Sequence, residues 1–251
     1  MTDRVVISRR RLLIGSAVGS AAALLPLIDN HSAQAAGPIS HELLQRLQAC
    51  TPADALTRLR QGNARFVKAW AAASEAATPQ QRMGRLNDIW EQNCQIDPQA
   101  LAQGQKPFAA LLCCADSRVD PSWVFACGSG ELFQVRSAGN TACDAAVASL
   151  EYAVSVLAVP LVLVMGHSGC GAVQAAMASA PLTPLLEQLM LPIRAGLQSR
   201  DDLSQAVQGN ARHAASQLSV RSELLRDAVA SGRLRIRSAW FDIGSGGVTL
   251  L

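Results

Sequence analysis

Residues 159–165, VPLVLVM, carry no charge and no polar side chain, and they run directly into the Gly-rich stretch Gly166-His167-Ser168-Gly169-Cys170-Gly171. A run so short and so apolar reads as a strand covered on both faces, the usual setting of a parallel strand. Parallel strands need crossover connections, normally helical. The flanking sequence supplies them. Phe108–Cys113 reads as a second buried strand, and Pro121–Phe125 as the start of a short helix with Asp120 or Ser122 as its cap. Glu131–Arg136 reads as a strand ended by Ser137-Ala138-Gly139-Asn140, and Ala142–Leu157 as a helix of small residues. Ala172–Ala180 starts another helix, Asp202–Ala230 is helical, Leu234–Phe241 alternates as a last strand, and Gly244–Gly247 is a turn. Strands alternating with helices predict an α/β fold, a central mostly parallel β-sheet flanked by helices.

Ahead of this core the pattern is helical. Leu43, Leu44 and Leu47 share a face, and after Pro52 so do Leu56, Leu59 and Phe66. Gly62-Asn63 predicts a break in this second segment, and residues 80–92 form a further polar helix. No internal repeat or low-complexity linker appears. The expected organisation is an N-terminal helical arm over 36–100 and an α/β core over 101–251, acting as one domain.

The first 35 residues differ from the rest. Ser8-Arg9-Arg10-Arg11-Leu12-Leu13 opens a charge-free run from Leu12 to Ile28, and Ala33-Gln34-Ala35 offers the small residues that a signal peptidase reads. The run is short and diluted by glycine, serine and alanine, unlike a membrane span of about 20 strongly apolar residues. The paired arginines resemble a twin-arginine export signal. Cleavage after Ala35 and a periplasmic or otherwise exported location are the expectation, with no stable membrane span left. Cleavage removes four of 22 basic and two of 19 acidic residues, so the net charge falls from +3 to +1. With that charge and no basic stripe interleaved with aromatics, nucleic acid is not an expected partner.

In open parallel sheets, sites form beyond the carboxyl ends of the strands. Cys113 and Cys114 end one strand, and His167 and Cys170 follow another. A cysteine at a buried strand end is often only a small hydrophobe, and a lone His-x-x-Cys is a weak signal. Together the two clusters offer two thiolates and an imidazole, a zinc set with the fourth position open. Adjacent strand residues point to opposite faces, so at most one of Cys113 and Cys114 can aim at the metal. Asp116 and Arg118 follow closely. A carboxylate that orients a zinc-bound hydroxide must stay ionised and fixed, and a guanidinium two residues away can grip it bidentately. The competing reading is a surface ion pair of little worth.

CADSRVDP at 114–121 and VMGHSGCGAV at 164–173 resemble the signature segments of the β-class carbonic anhydrases. GNARF at 62–66, GQKPFAALLC at 104–113, ELFQVRSAGN at 131–140, SLEYAV at 149–154 and AWFDIGSGGVTLL at 239–251 are similar as well. The resemblance implies one Zn2+ per subunit held by Cys114, His167 and Cys170, with Asp116 and Arg118 as the dyad orienting the hydroxide. It implies that Gln105 binds substrate from across a dimer interface and that Phe133 and Tyr152 line the carbon dioxide pocket. It further implies a homodimer or larger homo-oligomer and the reversible hydration of carbon dioxide to bicarbonate and a proton. Two alternatives remain at this point: hydrolysis of carbonyl sulfide or carbon disulfide on the same scaffold, or a non-catalytic zinc-binding interaction domain closed by Asp116. Ser137 stands where the family usually has asparagine. Of the seven cysteines, five are not assigned to the metal, and a Cys50–Cys94 bridge between arm segments is possible in an oxidising compartment.

Overall fold

The computed structural model describes residues 40–91 and 94–251. The expected signal peptide lies outside the described residues. Five strands form one sheet: β1 (Ala109–Cys114), β2 (Leu132–Ser137), β3 (Leu161–His167), β4 (Arg235–Phe241) and β5 (Val248–Leu250). Their order is β2-β1-β3-β4-β5. The first four run parallel, and β5 returns antiparallel to β4. Every residue of β1 and β3 is buried, as the unbroken apolar runs predict. Alternation then sorts them. Leu111, Cys113, Leu163 and Met165 face one layer, while Ala110, Leu112, Val162 and Val164 face the other.

The N-terminal segment folds as α1 (His41–Gln48), α2 (Ala55–Ser74), α3 (Pro79–Glu91) and α4 (Pro98–Gln103). A Cys50–Cys94 disulfide closes α1 onto the chain before α4, around a small cluster of Leu43, Leu47, Ile96 and Ala100. The helix α2 corrects an expectation, because it passes through Gly62-Asn63 without a break. Gly62 is needed there for close approach: a Cβ would lie 1.8 Å from the Phe125 carbonyl oxygen. Asn63 donates through Nδ2 to the carbonyls of Val124 (3.1 Å) and Gly246 (2.9 Å) and accepts from the Val248 N–H (2.9 Å). Tertiary contacts thus outweigh two poor helix formers worth no more than about 1 kcal/mol each.

After β1 comes α5 (Pro121–Val124), capped by Asp120, which accepts from the Ser122 N–H. The crossovers are α6 (Asp144–Ser155), α7 (Gly171–Met177), α8 (Pro184–Ala195), α9 (Leu203–Arg221) and α10 (Glu223–Ala230). The expected helical stretch 202–230 is two helices. Ser222 ends the first, caps the second through the Leu225 N–H, and donates to Glu151 Oε1 at 2.6 Å. The expected turn at 244–247 is present, stapled by Asp242, and delivers β5, too short to show a period. The described residues belong to one compact unit, Ile39–Leu251. Among them no helix is long and apolar enough to cross a membrane.

Candidate metal centre

Adjacent parallel strands deliver the donors. β1 and β3 pair directly, with Cys113 opposite Met165. β1 runs one residue beyond the expected end, so Cys114 is its last residue and His167 is the last of β3. Cys170 stands at the N-cap position of α7. The donor atoms of Cys114, His167 and Cys170 lie within 4.8 Å of one another, and all three residues are buried. The two sulfurs are 3.9 Å apart. Two zinc–sulfur bonds of about 2.3 Å at a tetrahedral angle require about 3.8 Å. His167 Nδ1 lies 3.1 Å from the Ser168 carbonyl, which places the proton on Nδ1 and leaves Nε2 a bare lone pair. Nε2 is buried with no hydrogen-bond partner, an arrangement a cation satisfies. The residues therefore fit a zinc ion.

Cys113, by contrast, sits in the layer on the opposite face, and burial pushes its thiol up to about 12. The Cys114 thiol is pulled down, first by the hydrogen bond from Cys170 and also by those from the Gly139 and Asp116 N–H groups. Cys170 is pushed up by donating to Cys114 and by burial.

Asp116 stands over this cluster, its Oδ2 3.8 Å from His167 Nε2. Arg118 grips it bidentately, Nε to Oδ1 at 2.9 Å and Nη2 to Oδ2 at 2.7 Å, while the Arg118 N–H also donates to Oδ1 at 3.0 Å. These bonds hold the carboxyl well below the usual carboxylate range, against the opposing effect of burial. Arg118 Nη2 reaches on to the Gly169 carbonyl at 3.1 Å, joining the loop after β1 to the loop after β3. Gly169 adopts φ +64°, in the left-handed region that favours glycine.

Four supporting residues escaped the sequence reading. The Gly139 N–H donates to Cys114 Sγ at 3.2 Å. Asn210, buried on α9, donates to the Gly139 carbonyl at 2.8 Å. Ser168 hooks the His167–Cys170 turn onto the end of β4, its N–H donating to the Phe241 carbonyl and its Oγ accepting from the Ile243 N–H, both at 2.9 Å. Arg136 on β2 donates to three carbonyls of the loop that carries Asp116. Asn210 did leave a signal: it falls on the buried stripe of Val207, Ala211, Ala214 and Leu218, where a polar residue needs a partner.

Residues 109–248 match the sequence profile of the family described as carbonic anhydrase. Carbonic anhydrase 2 of Mycobacterium tuberculosis is 34% identical over 211 residues, covering 79% of this chain and 92% of the relative. A solved β-carbonic anhydrase of Coccomyxa, in complex with acetazolamide, matches with a TM-score of 0.56 at 28% identity, covering 61% of this chain and 76% of that one. The chain belongs to the β-class carbonic anhydrase family. One of two tetrameric β-carbonic anhydrases from Sordaria macrospora matches with a TM-score of 0.55 at 25% identity, covering 60% of this chain and 83% of that one. The β-carbonic anhydrases are zinc enzymes, in agreement with the donor set.

Within the single chain, the three residues that the family resemblance assigns to substrate stand apart from the metal cluster. Phe133 pairs in register with Ala110, four residues before Cys114, which is about 13 Å along a strand. Tyr152 on α6 packs against Phe133, with ring centroids 6.2 Å apart, and is 46% exposed. Gln105 is exposed in the segment between α4 and β1, before the amino end of that strand. Ser137, the departure from the family pattern, donates to the Thr141 carbonyl at 3.0 Å and closes the loop itself.

Proposed function

We propose that this chain is a zinc enzyme catalysing the reversible hydration of carbon dioxide to bicarbonate and a proton, with Cys114, His167 and Cys170 as its metal ligands. The observation that carries this reading is the buried cluster of two sulfurs and an orphaned imidazole nitrogen, with an arginine-locked carboxylate 3.8 Å from that nitrogen. When bound, zinc acidifies water enough for it to attack at neutral pH, less strongly than in the all-histidine site of the unrelated carbonic anhydrase class, because two thiolates offset its charge. Asp116, kept ionised by Arg118, can only accept a hydrogen bond, and so it fixes the orientation of the attacking oxygen. The Gly139 N–H stabilises the Cys114 thiolate, and the Arg118–Gly169 bond keeps the two ligand loops in register. The relatives that carry a carbonic anhydrase name favour neither the sulfide-hydrolase reading nor the non-catalytic one.

Stopped-flow hydration of carbon dioxide by zinc-loaded protein tests this. Activity is expected to vanish together with zinc in Cys114→Ser, and to fall about 100-fold or more with zinc retained in Asp116→Asn. No hydration by the zinc-loaded wild type between pH 6 and 9 overturns the proposal.

The same reading includes a homodimer in which Gln105, Phe133 and Tyr152 of one chain complete the site of the other. Their distance from the chain's own cluster and the exposure of Tyr152 and Val156 support it. Export through a twin-arginine-type signal is part of the proposal too, and the Cys50–Cys94 disulfide supports an oxidising destination. Folding before export would load zinc where thiols are reduced, so Cys114 and Cys170 would travel protected. Amino-terminal sequencing of the exported protein is expected to begin at Ala36.

A further inference from the structure

The Asp116–Arg118 pair lies within one loop, two residues apart. It fixes the carboxylate relative to the loop, and ties the loop to the other ligand-bearing loop through one bond, Arg118 Nη2 to the Gly169 carbonyl at 3.1 Å. Between Cys114 and Asp120 the loop's N–H groups make four bonds: Ala115 to the Ser137 carbonyl at 3.1 Å, Asp116 to the Cys114 sulfur, Arg118 to Asp116 Oδ1 at 3.0 Å and Val119 to the Asp116 carbonyl at 3.0 Å. What fastens its carbonyl side is a single guanidinium from the neighbouring strand. Arg136 donates through Nε and Nη2 to the Cys114 carbonyl at 3.2 and 3.1 Å. Nη2 also donates to the carbonyls of Asp116 at 2.7 Å and Val119 at 2.6 Å. The three carbonyls belong to a metal ligand, to the orienting carboxylate's own residue, and to the residue before the cap of α5.

We propose that Arg136 is the positioning residue of this site: its guanidinium gathers the Cys114, Asp116 and Val119 carbonyls and thereby sets where the Asp116 carboxylate stands over the metal. The proposal rests on the functional reading above. Nη2 lies within 3.1 Å of all three carbonyls, and Nε adds a second bond to that of Cys114, which fixes the plane of the guanidinium; a lysine ammonium has no counterpart of this second, rigidly linked donor. Without the guanidinium the carbonyls turn to water, and the loop moves as a unit with Asp116 and Arg118 still paired. A displacement of about 1 Å at such a group costs on the order of 100-fold in rate.

The test is a double-mutant cycle on zinc-loaded protein. Arg136→Gln is expected to retain one zinc per chain and a near-wild-type KM, and to lower kcat about 10- to 100-fold. Arg136→Lys should fall between the two. In an Asp116→Asn background, Arg136→Gln should change kcat less than about 2-fold, because its effect passes through the carboxylate. A merely structural role would lower kcat by the same factor in both backgrounds, and that result, or loss of zinc from Arg136→Gln, overturns the proposal. A second measurement needs no turnover: thiocyanate titration of the cobalt-loaded proteins, followed by the cobalt absorption bands. Displacing the carboxylate from the metal should tighten anion binding several-fold in Arg136→Gln and leave it unchanged when Asp116→Asn is already present. If the wild type hydrates no carbon dioxide, the functional reading fails, and the cobalt titration still decides the role of Arg136. Equal thiocyanate affinity in wild type and Arg136→Gln refutes it.

Discussion

Replacing Gly62 by alanine sets two effects of opposite sign against each other. Alanine is the better helix former by about 1 kcal/mol, so in an unconstrained helix the change stabilises. In α2 the new methyl would lie 1.8 Å from the Phe125 carbonyl oxygen and 2.6 Å from its carbon, both backbone atoms. Reaching ordinary contact at 3.4 Å means opening that interface by roughly 1.6 Å. Asn63, the next residue, cannot then keep its bonds to Val124, Gly246 and Val248 at 3.1, 2.9 and 2.9 Å. Leaving two buried groups unpaired costs about 1–3 kcal/mol each. The clash wins, by about 1–5 kcal/mol net, which at this chain length lowers Tm by roughly 2–20 °C. Gly84 is the control. It lies in α3 with nothing within 4 Å of where its Cβ would be, so Gly84→Ala should raise Tm by about 2–4 °C. Thermal unfolding of the zinc-loaded proteins, followed by tryptophan fluorescence, reads both. A Gly62→Ala protein as stable as the wild type, beside a Gly84→Ala protein that behaves as expected, would show that the α2–Phe125 contact is not what shapes this helix.

Three further outcomes follow from the geometry. Cys113→Ala should keep one zinc per chain by elemental analysis and cost about 1–2 kcal/mol of packing, whereas Cys114→Ser should lose the metal. In Asn210→Leu the Gly139 peptide is released, and zinc affinity measured by chelator competition should fall about 10- to 100-fold; unchanged affinity would show that the Gly139 N–H holds its place unaided. Asp54 caps α2 through the Thr57 N–H and pairs with Arg235, which lowers its pKa from 3.8 to about 2. Because the folded value is the lower one, its stabilisation is present above pH 4 and lost as pH falls toward 2. The stability gap between wild type and Asp54→Asn should therefore close over that interval, and a constant gap in acid titrations of unfolding would contradict the assignment.

Much of this site was legible in the residues alone. Unbroken apolar runs of strand length, alternating with helical segments, read as parallel strands buried on both faces. Strand alternation allowed one of Cys113 and Cys114 to reach the metal, and the two ligand clusters stood where parallel sheets place their sites. Periodicity is a local property, so a single chain of letters displays it. Gly62-Asn63 misled because a helix breaker counts against a helix only until a neighbouring backbone requires it. No local pattern announces that Phe125, 63 residues on, will approach the helix too closely for any side chain. The same limit hid Arg136 and left Asn210 only as a polar residue on an apolar stripe. Their partners are carbonyls, which every residue has, and only tertiary packing chooses which ones converge on one guanidinium or one amide. The sequence by itself determined the four parallel strands, the donor types and the carboxylate–arginine pair. The tertiary structure alone decided what holds them in place, because orientation comes from contacts between segments far apart in the chain.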